Sequence, residues 1–436
     1  MRLQRTLEAV GAVAPGSAPP PRPSRRSGRS ELTVCLLLGA ALLFALLGMA
    51  GCGGSGKTGS SSSPGGGTGA AADAATTSVT GPSSGATNTS GTAIGSSGAT
   101  TSADAKATIR VIYASSLIIP FAELQKKFEA EHPNIKVNSE AHGSIQVLRQ
   151  VSDIHDEADV LISADSQLIP MLLYNSKDPQ TGKAYGTWRI DFATNEMAIA
   201  YTAKSKFADE INSDNWYDVI NRPGVRLGIA DPRFDANGYR ALMMLKLSEA
   251  YYKQPTLLFD TLDEQFTTPI TEADEGQQSV IHVPEILETT SGAHLVLRGY
   301  SVQLLPLLET GDIDYSVEYL SVIKQHGLKY VKLPAAINLG DEALDDAYGK
   351  VRVDLDYQRF ASVKPSFAGQ AIRYSLTIPS NAAQPAAAQA FVAFLLGPEA
   401  KQILESYDHP VISQPRCDNL DALPPALKSL CVPMAP

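Results

Sequence analysis

Small hydroxyl and amide side chains gather where apolar stretches of this chain break. Ser115 and Ser116 follow the run 109–113, Ser144 follows Gly143, Ser163 closes 158–162, and Asp235, Ala236 and Asn237 precede Gly238. A helix that begins at such a point leaves its first backbone N–H groups without intrahelical partners and presents the positive end of its dipole, roughly half an elementary charge. Serine hydroxyls add further donors, so the chemistry on offer is capture of an anion in a cradle that needs no Lys or Arg. One serine ahead of a helix is an ordinary N-cap, and Asp235 by itself reads equally well as a cap or Asx turn. Several such places in one chain point to an anion site if the fold brings them together. No nucleophile elbow, zinc motif or phosphate loop is present, and no acid–base pair suggests itself. The chain therefore reads as a binder without catalytic residues or cofactor, not as an enzyme.

Those residues are punctuation in an alternating pattern. Strands are expected at 109–113, 135–138 and 158–162, separated by helices at 119–132 and 145–154; the first of these helices carries Phe121, Leu124 and Phe128 on one face. Further strands are expected at 192–202, 225–230, 315–319 and 372–379. Helices are expected at 238–252, 321–325, 384–396 and 398–406. Strand, turn and helix in alternation predict an α/β fold with mostly parallel sheets, and ligands of such sheets sit outside the carboxyl ends of the strands. The stretch 262–295 carries no clear period.

The N-terminal quarter is of another kind. Arg22, Arg25, Arg26 and Arg29 precede an apolar run from Leu32 to Gly51, and Cys52 follows at once. A charged start, an apolar centre and small residues at the cut read as a secretory signal over 1–51. A cysteine at that position resembles the lipobox of bacterial lipoproteins, in which it is acylated and becomes the first residue of the mature chain. The Gly, Ser, Thr and Ala that follow, to residue 106, cannot bury enough apolar surface to order themselves and read as a flexible tether. The expected location is therefore the outer face of the cytoplasmic membrane, through a lipid anchor. Of 436 residues about 330 remain for the folded body, enough for two lobes. A net charge of -10 argues against a nucleic-acid partner. Cys417 and Cys431, in an exported C-terminal tail over 414–436, read as a disulfide closing about 15 residues and worth about 3 kcal/mol.

The order of several segments is more specific. Ala114-Ser-Ser-Leu117, Gly143-Ser144, residues 158–165, 192–197, Asn215-Trp-Tyr217, 231–240, 321–327 and 374–379 together resemble the tungstate/molybdate-binding proteins of ABC importers, over nearly all of 109–413. The resemblance implies a two-lobed periplasmic-binding-protein clamp of type II. Lobe one would comprise 107–198 and 375–413, lobe two 199–374, with crossing segments near 197–202 and 372–379 as the hinge. It implies oxyanion contacts from Ser115, Ser116, Ser144, Asp235, Ala236, Asn237 and Tyr319, with Asp235 as an oxygen ligand to the metal of the bound oxyanion. The family pattern also places a glutamate 18 residues before the tyrosine; here that position is Ser301, which leaves Asp235 as the one carboxylate and a hydroxyl donor in place of the other. His142 is a candidate lid or supporting group, and His326 sits at a helix end. The implied partners are an ABC permease with its ATPase and a small inorganic oxyanion, with the protein a monomer. Sulfate or phosphate is the alternative ligand, and a sensing or structural lipoprotein the alternative role.

Cys52→Ser should abolish lipid labelling and release the protein from the membrane or leave it unprocessed. Membrane fractionation with fatty-acid labelling reads this directly, and a labelled, membrane-bound variant would refute the anchor.

Overall fold

Phe121, Leu124 and Phe128 recur at the spacing of a helix face, and with Pro120 they are the buried side chains of the helix Ile118–Glu131. Phe121 stacks on Tyr113 with ring centroids 3.9 Å apart. Phe128 meets Phe391 edge to face at 5.0 Å, which brings the C-terminal helix Pro385–Leu395 onto the N-terminal part of the fold. The computed structural model describes residues 106–356 and 364–434. The signal, Cys35, Cys52 and all but the last residue of the tether lie outside the described residues.

Three sheets organise the chain. The first has seven strands, in the order Val432–Pro433, Val411–Cys417, Ile190–Thr194, Arg373–Thr377, Val160–Ser163, Ala107–Ala114 and Ile135–His142. The second has five: Lys329–Lys332, Met197–Tyr201, Tyr315–Tyr319, Leu227–Ala230 and Leu295–Arg298. Within each, strands linked through helices pair in parallel, as Ala107–Ala114 does with both its neighbours. The strands by which the chain changes sheet run antiparallel to both neighbours. Met197–Tyr201 does so on entering the second sheet, and Arg373–Thr377 on returning to the first. A segment arriving from the other half enters against the local direction, so each sheet is parallel at its start and mixed where the halves are joined.

The stretch 262–295 owes its structure to distant partners. Thr271–Glu275 and Gln278–Pro284 form a hairpin around Gly276, whose φ of 66° lies in the left-handed region that glycine enters at least cost. Gln278–Pro284 then pairs with Val351–Asp356, making a third sheet of four strands with Ser366–Ala368. The long helix Ala236–Tyr252 lies so close to the strand Leu227–Ala230 that a Cβ at Gly238 would come within 2.4 Å of the Ala230 carbonyl oxygen.

The tail beyond residue 413 belongs to the first sheet, since Val411–Cys417 and Val432–Pro433 are strands of it. Cys417 and Cys431 are free thiols here, where a disulfide was expected. They are nevertheless neighbours: burial pushes the Cys417 thiol up to about 12, and it also raises Cys431, against a hydrogen bond between the two.

Candidate functional site

The first half supplies two strand-to-helix turns. Ser115 and Ser116 open a short 3-10 turn after Ala107–Ala114 and are almost wholly buried. The Ser116 hydroxyl lies 2.7 Å from the Tyr374 phenol, which also accepts from the Asn195 amide at 3.2 Å. Both partners lie where the chain changes sheet: Asn195 just before Met197–Tyr201, Tyr374 on Arg373–Thr377. Ser144 is the first residue of the helix Ser144–Ser152. Its Oγ accepts the Ala164 N–H at 3.0 Å, which leaves the hydroxyl hydrogen to be donated elsewhere.

The second half supplies carboxyl groups. Asp235 caps the helix Ala236–Tyr252, as its place before Gly238 allowed, and it does more. Its Oδ1 accepts the Asn237 N–H at 3.3 Å and its Oδ2 the Ser301 N–H at 3.0 Å. A third backbone N–H comes across the cleft from Ser144. Burial drives the Asp235 pKa up, and these three N–H groups pull it back. The carboxylate thus sits at the N-terminus of a helix in the opposite half, as an anion would.

Ser301 does not turn its hydroxyl to the open side of the site. That group donates to Oε1 of Glu318 at 2.9 Å. The same oxygen accepts from Asn237 Nδ2 at 3.3 Å and from the Tyr319 N–H at 2.7 Å. Glu318 is fully buried, and burial together with the nearby charge of Asp235 pushes its pKa up to about 8 despite the Tyr319 and Ser301 hydrogen bonds. Near Asp235 the fold thus brings a second carboxyl group, one residue before Tyr319, that the sequence did not point to.

An arginine is also present where none was expected. Arg240, 2% exposed, donates to the Ala164 carbonyl at 2.7 Å and to the Tyr319 hydroxyl at 2.9 Å, and its guanidinium lies 3.2 Å from Asp165. Tyr239 donates to the same Asp165 oxygen at 2.5 Å. Asp165 and Ala164 belong to the first half, so this group joins the two halves beneath the cleft. Removing one partner of such a buried pair typically costs about 3–5 kcal/mol.

Ser115, Ser116, Ser144, Asp235, Ala236, Asn237, Ser301 and Tyr319 are all buried and are brought to one region between the halves. His142 stands outside it, its ring 3.6 Å from Glu140, and His326 ends the helix Leu320–Gln325. Glu318, Arg240, Tyr374 and Asn195 were missed. The first two were signalled by a charged residue inside an apolar run, Tyr-Ser-Val-Glu-Tyr and Tyr-Arg-Ala-Leu-Met-Met, where burial would have required a partner. Among the described residues no group of three or more His, Cys, Asp or Glu is arranged to hold a metal ion.

Two sheet-based halves, joined by two crossings and closed over a buried polar site, define a solute-binding clamp. The chain belongs to the bacterial extracellular solute-binding protein family, which it matches over residues 109–407. Proteins of this family bind solutes rather than transform them, and this chain is an extracellular solute-binding protein. It is 37% identical over 320 residues to a solute-binding protein of Petrotoga mobilis, covering 73% of this chain and 88% of that one. It is 35% identical over 303 residues to the molybdate/tungstate-binding protein WtpA of Thermococcus kodakarensis, covering 68% of this chain and 80% of the relative. The periplasmic molybdate-binding protein of Azotobacter vinelandii superposes with a TM-score of 0.43 at 15% identity, over 70% of this chain and 100% of that one. So loose an overlap says nothing of ligand.

Closure has a steric test. Gly143 passes so near the other half that a Cβ there would lie 2.4 Å from the Phe234 carbonyl oxygen, although its φ of -62° suits any residue. Gly143→Ala should leave each half folded and prop the cleft open. Overpacking of about 1–3 kcal/mol confined to the closed form predicts roughly 10- to 100-fold weaker ligand binding with little change in melting temperature. Unchanged affinity would show that closure does not need this contact.

Glu318 gives a second test, on the ligand-free protein. Its folded pKa, about 8, lies above that of a glutamate in the unfolded chain. The stability it contributes is fully present below the ordinary glutamate range and is lost as pH rises through about 8. Melting temperature should therefore fall more steeply between pH 5 and about 8 in the native protein than in Glu318→Gln. Parallel curves would contradict it.

Proposed function

We propose that the protein captures a tetrahedral oxyanion of the molybdate and tungstate class in this cleft and delivers it to an ABC permease with its ATPase. The observation that carries this reading is the convergence of Ser116 and Ser144 from one half with Asp235 and Tyr319 from the other, in a chain 35% identical to a molybdate/tungstate-binding relative. Serine hydroxyls and helix-terminal N–H groups supply neutral donors, and hydrogen bonds to a charged acceptor contribute about 1.5–3 kcal/mol each. Hexavalent molybdenum or tungsten is a hard centre for which carboxylate oxygen is a suitable ligand, and Asp235 is the group to offer it. Its three N–H partners spread its charge and make its presence beside an anion tolerable. Capture, closure about the crossings near Asn195 and Tyr374, and handover are the whole of the mechanism.

The same reading places the body outside the cell on a lipid carried by Cys52, as a monomer. There thiol–disulfide exchange with an extracellular disulfide, itself reduced to two thiols, would convert Cys417 and Cys431 to the bridge that their adjacency permits.

Titration calorimetry with molybdate, tungstate, sulfate and phosphate should show tight binding of the first two and weaker binding of the others. Asp235→Asn should reduce the preference for tungstate over sulfate, since the amide keeps the size of the side chain but is a poorer ligand to a hard metal centre. A site that prefers sulfate or phosphate, or binds none of the four, would overturn the assignment.

A further inference from the structure

Glu318 has two carboxyl oxygens in unlike surroundings. Oε1 accepts from the Ser301 hydroxyl, the Asn237 amide and the Tyr319 N–H. Oε2 is buried and has no hydrogen-bond partner among the described residues. A carboxyl group whose one oxygen is saturated with donors must carry any proton on the other, and that O–H is then a donor without an acceptor. A buried donor left in this state costs about 1–3 kcal/mol, so a persistent one implies something that satisfies it. Glu318 also lies near cleft residues of both halves. It is felt by the Tyr374 phenol of the opposite half, which shares a hydrogen bond with Ser116, and by Asp235, the group proposed to meet the anion.

We propose that Glu318 is a specificity-determining residue of the oxyanion site, held as the neutral carboxylic acid and donating a hydrogen bond from Oε2 to an oxygen of the bound anion. This rests on the oxyanion reading above. Its charge surroundings agree. Among the described residues no Lys or Arg contacts Glu318, and the titratable groups that face it are Asp235 from the helix cap and Tyr374 from the first sheet. Arg240 is committed to Asp165, Ala164 and Tyr319. Because Arg240 is paired with Asp165, an ionised Glu318 would add an uncompensated negative charge facing a dianion. A neutral acid adds none, and supplies a donor. Burial raises the Glu318 pKa in the direction this requires.

The two oxygens of the side chain suggest the test. Glu318→Gln keeps the length and a donor N–H but removes the ionisable group; Glu318→Met keeps the length and removes the donor. Calorimetry on the full-length protein in detergent, with sodium molybdate and sodium tungstate, should give a Kd for the Gln variant within about threefold of the native protein. The Met variant should be weaker by about 10- to 100-fold, the loss of one hydrogen bond to a charged acceptor. Equal binding in all three proteins would show that Glu318 does not touch the anion. A loss in Gln as large as in Met would show that an ionised carboxylate is required, and a Gln variant more than tenfold tighter would show that Glu318 repels the ligand. Each overturns the proposal while leaving the oxyanion site standing. Failure of the native protein to bind either anion would instead bring down the functional reading and this proposal together. If the Met variant does not fold, infrared difference spectra of the native protein decide. The anion complex should show the carbonyl stretch of a protonated carboxylic acid, missing from Glu318→Gln, and its absence from the native complex would refute the neutral acid.

Discussion

Arg240 carries a full positive charge into a place from which water is excluded, and the groups that neutralise it come from both halves of the molecule. Asp165 and the Ala164 carbonyl belong to the first sheet's connections, and Tyr319 ends a strand of the second. A guanidinium so placed would be very costly if the halves stood apart without water between them, and its charge is compensated by Asp165 when they meet. The same two halves also meet where Ser144 approaches Asp235 and Gly143 approaches Phe234. The pair therefore fixes register as much as it contributes energy: it determines which residues of one half meet which of the other.

The same exclusion of water governs the proposed anion site. In a low-dielectric cleft each neutral donor is worth more than at a surface, and each unpaired charge costs more. A site with three carboxyl groups and one guanidinium nearby looks ill suited to an anion by count. It becomes suitable by distribution. Asp165 is used on Arg240 and Tyr239, Asp235 is quieted by three backbone N–H groups, and Glu318 is driven toward its neutral form by burial and by Asp235. The bulk charge of -10 does nothing to attract a dianion, so recognition falls to these few oriented groups.

Behind the cleft, the crossings are tied to the ligand-side turns. Tyr374 reaches Ser116 and Asn195, and Asn195 reaches the Ser321 hydroxyl at 2.8 Å. His409, wholly buried and pushed down to a pKa of about 3 by that burial, packs edge-on against Tyr374. A neutral imidazole with no hydrogen-bond partner among the described residues behaves here as a flat apolar support for the phenol. A change in the cleft is thereby coupled to the backbone segments about which the halves would move.

Local chemistry in the sequence was enough for the helix faces, for the strand-to-helix turns at Ser115, Ser144 and Asp235, and for the alternation that makes the sheets. Each of these depends on residues within a few positions of one another. The order of short segments added the family. The hairpin at 271–284 was not legible, because its strands are defined by pairing with Val351–Asp356, some 70 residues away, and not by a local period. Nor was Glu318: in sequence it is one polar residue in a strand, and a glutamate 18 positions earlier is what the family pattern has. Only the folded chain brings Ser301 and Asn237 onto its carboxyl group and Asp235 beside it. The sequence by itself determined which backbone segments could offer donors to an anion. The tertiary structure decided the protonation and pairing of the carboxyl groups among them, because burial and the proximity of like charges exist only once distant segments have excluded water together.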